Sequence, residues 1–202
     1  MARYLGSKHR LCRRFGTKLC DSEKCPVIRR PYRPGQHGPK GELHMSEYGT
    51  QLAEKQKAKF LYGVLERQFV NYYKKATALA GNSGQNLLSL LERRLDNVMY
   101  RSGIMQTRRI ARQFVSHGHV LVNGRKTTIP SYQPKKGDVI SLSEKASRMI
   151  VVTDMKKKPS KRQLPSWLKV ESEQIPTVTL LGNPTEEDLA LGIDPALIIE
   201  FY

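Results

Sequence analysis

The sequence lacks the features that would place it in a membrane, outside the cell or among enzymes. No stretch approaches the roughly 18 consecutive apolar residues of a transmembrane helix, so no membrane span is expected. The opening Met1-Ala2-Arg3-Tyr4-Leu5-Gly6 has no apolar signal core, and secretion is not expected. Cysteine is scarce: three residues, an odd number, which argues against a disulfide framework. Hydrophobic residues make up 39%, below the roughly 45–50% of an ordinary globular domain counted with Gly. No Gly-rich phosphate loop leads into a Lys-Ser/Thr pair, and no Gly-x-Ser-x-Gly elbow occurs. The five histidines show no nucleophile–base pattern, so the chain reads as a binder and not as an enzyme.

Negative charge is the other shortage. Lys and Arg number 35 against 18 Asp and Glu, a formal net charge of +17 over 202 residues. Such a charge opposes compaction unless a polyanion meets it. The imbalance is also uneven. Residues 1–170 carry net +24, whereas residues 171–202 hold seven acidic and no basic side chains. One surface is therefore built for phosphate, and the acidic end packs on the protein itself or faces a basic neighbour.

Residues 1–45 are basic and poor in apolar side chains, and residues 25–39 hold four prolines and two glycines. Proline fixes φ and removes an amide donor, so this arm needs a staple or a partner. Helical signals begin at Ser46, a cap with Glu47 in the first turn. Lys55 and Lys59 share a face of that helix, and a second helix is predicted over residues 65–80. Leu88, Leu91, Leu95 and Val98 step by 3, 4 and 3 and predict one helix ending at Gly103. Thr107 caps a short helix that closes at Gly118. The period then drops to two, with Asn123-Gly124 as a hairpin turn and strands over 126–129, 139–142 and 149–153. Residues 156–165 read as a basic linker, and Thr185 as the cap of a short acidic helix.

Three constellations carry chemistry. His9-x2-Cys12 followed by Cys20-x4-Cys25 has the layout of a structural zinc site, in which two close ligand pairs each span one edge of a tetrahedron. His37 and His44 are competing fourth ligands, and three reduced thiols beside a surface histidine are the alternative to a metal. A helix–helix–hairpin unit over residues 91–142 sets Arg93, Arg94, Arg108, Arg109 and Arg112 on helices, with Arg125 and Lys126 beside the tight turn. A guanidinium ridge on a rigid scaffold suits the phosphates and 2′-hydroxyls of folded RNA. The arm itself interleaves Arg3, Arg10, Arg13, Arg14, Arg29, Arg30 and Arg33 with Tyr4 and Tyr32, a mixture that binds phosphate and stacks on exposed bases.

The ordered motifs are more specific. Ala2-Arg3-Tyr4-Leu5-Gly6, Pro34-Gly35-Gln36-His37-Gly38, Glu54-Lys55-Gln56-Lys57 and Tyr62-Gly63-Val64-Leu65-Glu66-Arg67-Gln68-Phe69 occur in turn. Arg94-Leu95-Asp96-Asn97-Val98, Val122-Asn123-Gly124-Arg125 and the ending Glu200-Phe201-Tyr202 follow. From end to end the chain resembles the bacterial small-subunit ribosomal protein four family. The resemblance implies an α+β fold. A helical domain over 46–91, completed by 170–202, would carry an inserted RNA-binding domain over 92–155, with helices packed on a small antiparallel β-sheet. A basic arm with a zinc-knuckle-like segment would occupy 1–45 and a basic linker 156–169. It implies a cytoplasmic, ribosome-bound structural protein that binds small-subunit (16S) rRNA early in assembly, at a multi-helix junction of the 5′ domain. Its neighbours would be small-subunit protein five, at a joint tied to decoding accuracy, and mRNA near the entry channel.

Added to the cations above, the motifs mark Gln36, His37, Lys55, Lys59, Arg67 and Asn123 as RNA-facing. Zinc-bearing relatives carry Cys-x2-Cys then Cys-x4-Cys; here His9 stands for the first Cys and the loop between pairs is shorter. The resemblance thus implies one structural zinc held by His9, Cys12, Cys20 and Cys25. The rival readings are an RNA-modifying enzyme that borrows the same domain and a zinc-containing nucleic-acid-binding regulator. The first needs a catalytic domain that the flanks do not offer. The second needs a recognition helix after the ligands, where residues 26–41 are rich in Pro and Gly.

Overall fold

The computed structural model describes residues 4–20, 22–39, 41, 45–149, 152, 163–172, 175–189 and 192–202. The chain forms two compact units, one of residues 1–87 with 192–202 and one of residues 88–191.

In the first unit, α1 spans Lys8–Phe15 and a single 3-10 turn spans Pro26–Ile28. Helix α2, Glu47–Tyr62, starts as expected at Ser46, whose side chain accepts the Gly49 amide. It stops where Gly63 turns left-handed at φ 64°. Helix α3, Glu66–Thr77, buries Phe69, Tyr72 and Ala76, one face at helical spacing. The C-terminal helix of this unit, α9, spans Pro195–Phe201 and lies along α2. Asp194 caps it by accepting the Ala196 amide, and the Asp194 amide itself donates to Glu54 of α2 at 3.1 Å.

The stripe from Leu88 to Val98 is buried as its spacing predicts, but it is not one helix. Helix α4, Ser83–Glu92, and helix α5, Leu95–Arg101, are separated by a break at Arg93–Arg94. Arg94 is extended at ψ 137°, and the amides of Leu95 and Asp96 donate to the carbonyls of Tyr132 and Pro130. A neighbouring loop thus takes donors that a continuous helix would have used internally. Helix α6, Arg108–Ser116, begins at Thr107, whose hydroxyl accepts the Ile110 amide.

Strands β1 (Val120–Val122), β2 (Arg125–Thr127) and β3 (Val139–Leu142) follow the hairpin pattern of the sequence. At the turn, Asn123 and Gly124 both take positive φ, 50° and 77°. Helix α7, Glu144–Ser147, comes next; of the segment expected as strand 149–153, only Met149 and Val152 are described, and Met149 lies in no strand. The linker expected over 156–169 falls outside the described residues up to 162.

The C-terminal segment departs from expectation. Strands β4 (Leu168–Ser172) and β5 (Pro176–Leu180) join the sheet, in the order β2-β1-β3-β5-β4 with antiparallel neighbours. Only residues 192–202 return to the helical unit. The reason is the period-2 pattern of Pro176–Leu180, which turns Val178 and Leu180 onto the face already occupied by Ile140 and Leu142. That face closes over Leu95, Val98, Met99, Ala111, Phe114 and Val115 to form the core of the second unit. A short α8, Glu186–Leu189, follows the sheet. The fold is α+β, helices with a small antiparallel sheet, as the sequence indicated. No described helix is long and apolar enough to cross a membrane.

Candidate nucleic-acid interface and metal centre

Helix α1 was not foreseen, and it explains the ligand spacing. Three residues apart, His9 and Cys12 share a helical face. Gly16, left-handed at φ 65°, turns the chain back so that Cys20 and Cys25 reach that face. The Cys20 Sγ lies 3.7 Å from His9 Nδ1, and the ligand atoms of His9, Cys20 and Cys25 all fall within 4.8 Å of one another. Cys12 is fully buried beside them; its Sγ accepts the Leu19 amide at 3.3 Å and interacts with the Cys20 and Cys25 thiols. His37 is exposed and takes no part in this group, and His44 lies outside the described residues.

Burial pushes the Cys20 thiol up to about 12 and the Cys12 thiol upward as well. Burial also acts on Cys25, but the Val27 amide, His9 and the two neighbouring thiols outweigh it and hold it at about 7. Two sulfurs and an imidazole nitrogen converging, with a third sulfur adjacent, are a donor set that could hold a metal ion. Around it Leu11, Leu19 and Val27 make a small core with Phe15, Phe60 and Leu61 partly covering it. So small a core is where a metal's binding energy would count as folding energy.

The cations of the first unit divide by burial. Arg10, Arg14, Arg30, Gln36, His37 and Arg67 are exposed, and Arg3 lies outside the described residues. Arg13 is a staple: its guanidinium sits 4.8 Å above the Tyr32 ring and donates to the carbonyls of Tyr32 and Arg33. Arg33 is half-buried near the Met45 sulfur, and the Tyr4 ring packs edge-on to Phe60 at 5.1 Å.

Lys55 and Lys59, expected to face RNA, point into the protein. Lys55 is buried, with Nζ 2.8 Å from Glu66 Oε1 and 4.0 Å from the Phe201 ring centre. Lys59 Nζ is 2.9 Å from the other Glu66 oxygen. Partial burial would raise the Glu66 carboxyl, but these two ammonium groups and the Tyr202 hydroxyl, which donates to it at 2.7 Å, hold it down at about 2. The pair therefore fastens the C-terminal helix.

The arginine ridge of the second unit is likewise thinner than its sequence. Arg94 has no exposed surface; its Nε and Nη2 donate to the two Asp96 carboxylate oxygens at 3.1 and 2.8 Å. Arg112 is also buried, 3.9 Å from the same carboxylate. Both side chains lie in the interior, whereas the sequence reading set them on an RNA-facing ridge. Half-buried Arg93 donates to the Pro134 carbonyl, and Arg108 stacks 4.1 Å over Tyr100 while donating to Asn97 Oδ1. Asn123 fixes the hairpin: its Oδ1 accepts the Val139 amide and its Nδ2 donates to Asp138. Arg109, Arg125 and Lys126 are exposed.

Sequence reasoning missed the polar network behind this surface. Glu92, fully buried, receives a two-point contact from Arg101 at 2.8 and 3.0 Å and another hydrogen bond from Asn97 Nδ2 at 2.8 Å. Asn97 in turn holds Arg108, so a buried acid indirectly aims a half-exposed guanidinium. The signal was present in Glu92, Asp96 and Asn97, polar residues set within an apolar stripe.

The family described as the ribosomal protein S4/S9 N-terminal domain matches residues 3–92, and the S4 domain matches residues 93–140. Small ribosomal subunit protein uS4 of Clostridioides difficile (strain 630) is 49% identical, and that of Caldicellulosiruptor bescii 48%. The uS4 protein of Geobacter sp. (strain M21) is 45% identical. Each match covers 100% of this chain and 99% of the relative.

Proposed function

This chain belongs to the ribosomal protein S4 family, and from that premise we propose that it is a structural constituent of the small ribosomal subunit that binds 16S rRNA. It works in the cytoplasm on the ribosome, without catalysis. It nucleates assembly at a multi-helix junction of the 5′ domain, and it bears on decoding accuracy through small-subunit protein five, near the mRNA entry channel. Full-length similarity to the uS4 proteins carries this reading. The physical support is a net charge of +17 whose exposed members sit on fixed elements: Arg10 and Arg14 on α1, Arg109 on α6, Arg125 and Lys126 on the hairpin. Phosphate contacts of this kind supply affinity, and the shape of the junction supplies specificity.

One zinc ion held by His9, Cys12, Cys20 and Cys25 belongs to the same proposal. When bound it is a Lewis-acidic cross-link that keeps the thiols deprotonated and the arm folded. The chain's own part is to bring its two ligand pairs onto one face of α1.

The test is rRNA binding as a function of salt. Arg109→Glu with Arg125→Glu is expected to weaken binding at least about tenfold and to flatten the salt dependence by about one unit of log–log slope per lost contact. Lys145→Glu with Arg148→Glu, also exposed, is the control. Equal losses in the two pairs would remove α6 and the hairpin from the interface.

A further inference from the structure

The end of α6 carries two histidines that the RNA reading did not use. The helix closes with the Gly118 amide donating to Val115 and the His119 amide donating to Phe114. Gly118 is left-handed at φ 72°, which turns His117 and His119, on either side of it, toward each other. Their ring centres are 6.0 Å apart, and the Phe114 ring supports His119 from behind at 5.4 Å.

The third member comes from another element. On β2, Lys126 crosses directly over Gly118: a Cβ there would collide with Lys126 Cε and lie 2.9 Å from Nζ. The bare glycine thus admits the Lys126 side chain against the backbone that joins the two histidines. Exposed Arg125 precedes it on the same strand. Among the described residues no carboxylate pairs with either ring. The Ser143 amide donates to the His119 carbonyl, and Glu144 and Lys145, which follow it on α7, are exposed.

We propose that His117, His119 and Lys126 form a proton-linked binding site for a phosphodiester of the RNA backbone, in which seating the phosphate draws protons onto the imidazoles. The inference rests on the rRNA-binding reading. With both imidazoles protonated the site would gather three cations, which repel one another unless an anion lies among them. Partial burial, then His117 and Lys126, depress the affinity of His119 for its proton. An anion seated among the three reverses the latter two effects, and each proton taken up tightens the complex.

The experiment uses the full chain in two arms. Affinity for a transcript of the 16S 5′ domain is measured from pH 7.5 to 5.5 at fixed salt, and the imidazole titrations are followed by NMR with and without inorganic phosphate. The wild type is expected to bind the transcript about tenfold more tightly at pH 5.5, with the His119 midpoint rising by about one unit on adding phosphate. The His117→Gln/His119→Gln variant should hold constant to within about twofold. Lys126→Met, with both imidazoles intact, should lose affinity at every pH, so the proposal stays testable if the double variant folds poorly. Parallel pH curves for wild type and double variant, or an unmoved His119 midpoint, would overturn it. A wild type that ignores the transcript at every pH while His119 still responds to phosphate would instead overturn the rRNA reading and leave the anion site standing.

Discussion

Removing the Asp96 carboxylate leaves the Arg94 guanidinium with no exposed surface and without the acid that neutralises it. Breaking a buried pair from one side costs about 3–5 kcal/mol, because the remaining charge stays buried without the carboxylate that balanced it. In Asp96→Ala this falls on a unit of about 100 residues, where 1 kcal/mol moves the melting midpoint by about 4–8 °C, so a drop of about 12 °C or more is expected. The single tryptophan, Trp167, is buried in the same unit and reports its unfolding by fluorescence. A loss below about 1 kcal/mol would refute the reasoning. The double replacement Arg94→Met with Asp96→Leu removes both charges at similar volume and should recover most of the stability. If Arg94 is interior, as its burial states, this variant also keeps its rRNA affinity. A folded double variant that binds rRNA more than about tenfold worse would show that Arg94 reaches the RNA after all.

Two further outcomes are expected. Glu66 has a folded value of about 2 against an ordinary 4.5, so its contribution is complete above about pH 5 and disappears as pH falls toward 2. The protection of the α9 amides, measured as exchange relative to the intrinsic rate at each pH, should fall across that window in the wild type and be low already at pH 5 in Glu66→Gln; superimposable protection curves would refute the clamp. For the metal centre, mass spectrometry of untagged protein should find one zinc per chain, with Cys20→Ser lowering the occupancy and chelation loosening α1. Sub-stoichiometric zinc together with unchanged α1 protection after chelation would sink that part of the proposal.

What the sequence determined by itself was local or cumulative. Ser46 and Thr107 set helix starts through contacts three residues away, and Asn123-Gly124 set a hairpin through their own tolerance of positive φ, so their types alone were enough. The 3-4-3 spacing of Leu88, Leu91, Leu95 and Val98 gave a buried stripe, and the charge count gave a polyanion partner. Tertiary structure decided which cations are available to that partner. Lys55 meets Glu66 across 11 residues and Arg101 meets the Asp188 carbonyl across 87, distances over which no periodicity speaks. Arg94 and Arg109 both read as ridge arginines; one is enclosed beside Asp96 and the other exposed. The break between α4 and α5 had the same origin, since its amides are taken by carbonyls about 35 residues away. So had the gathering of His9 with Cys20 and Cys25: the spacing supplied two pairs, and only the turn after α1 made them one site. A side chain's charge is written in the sequence, but whether that charge meets water, an acid or a phosphate depends on which distant segment the core brings beside it.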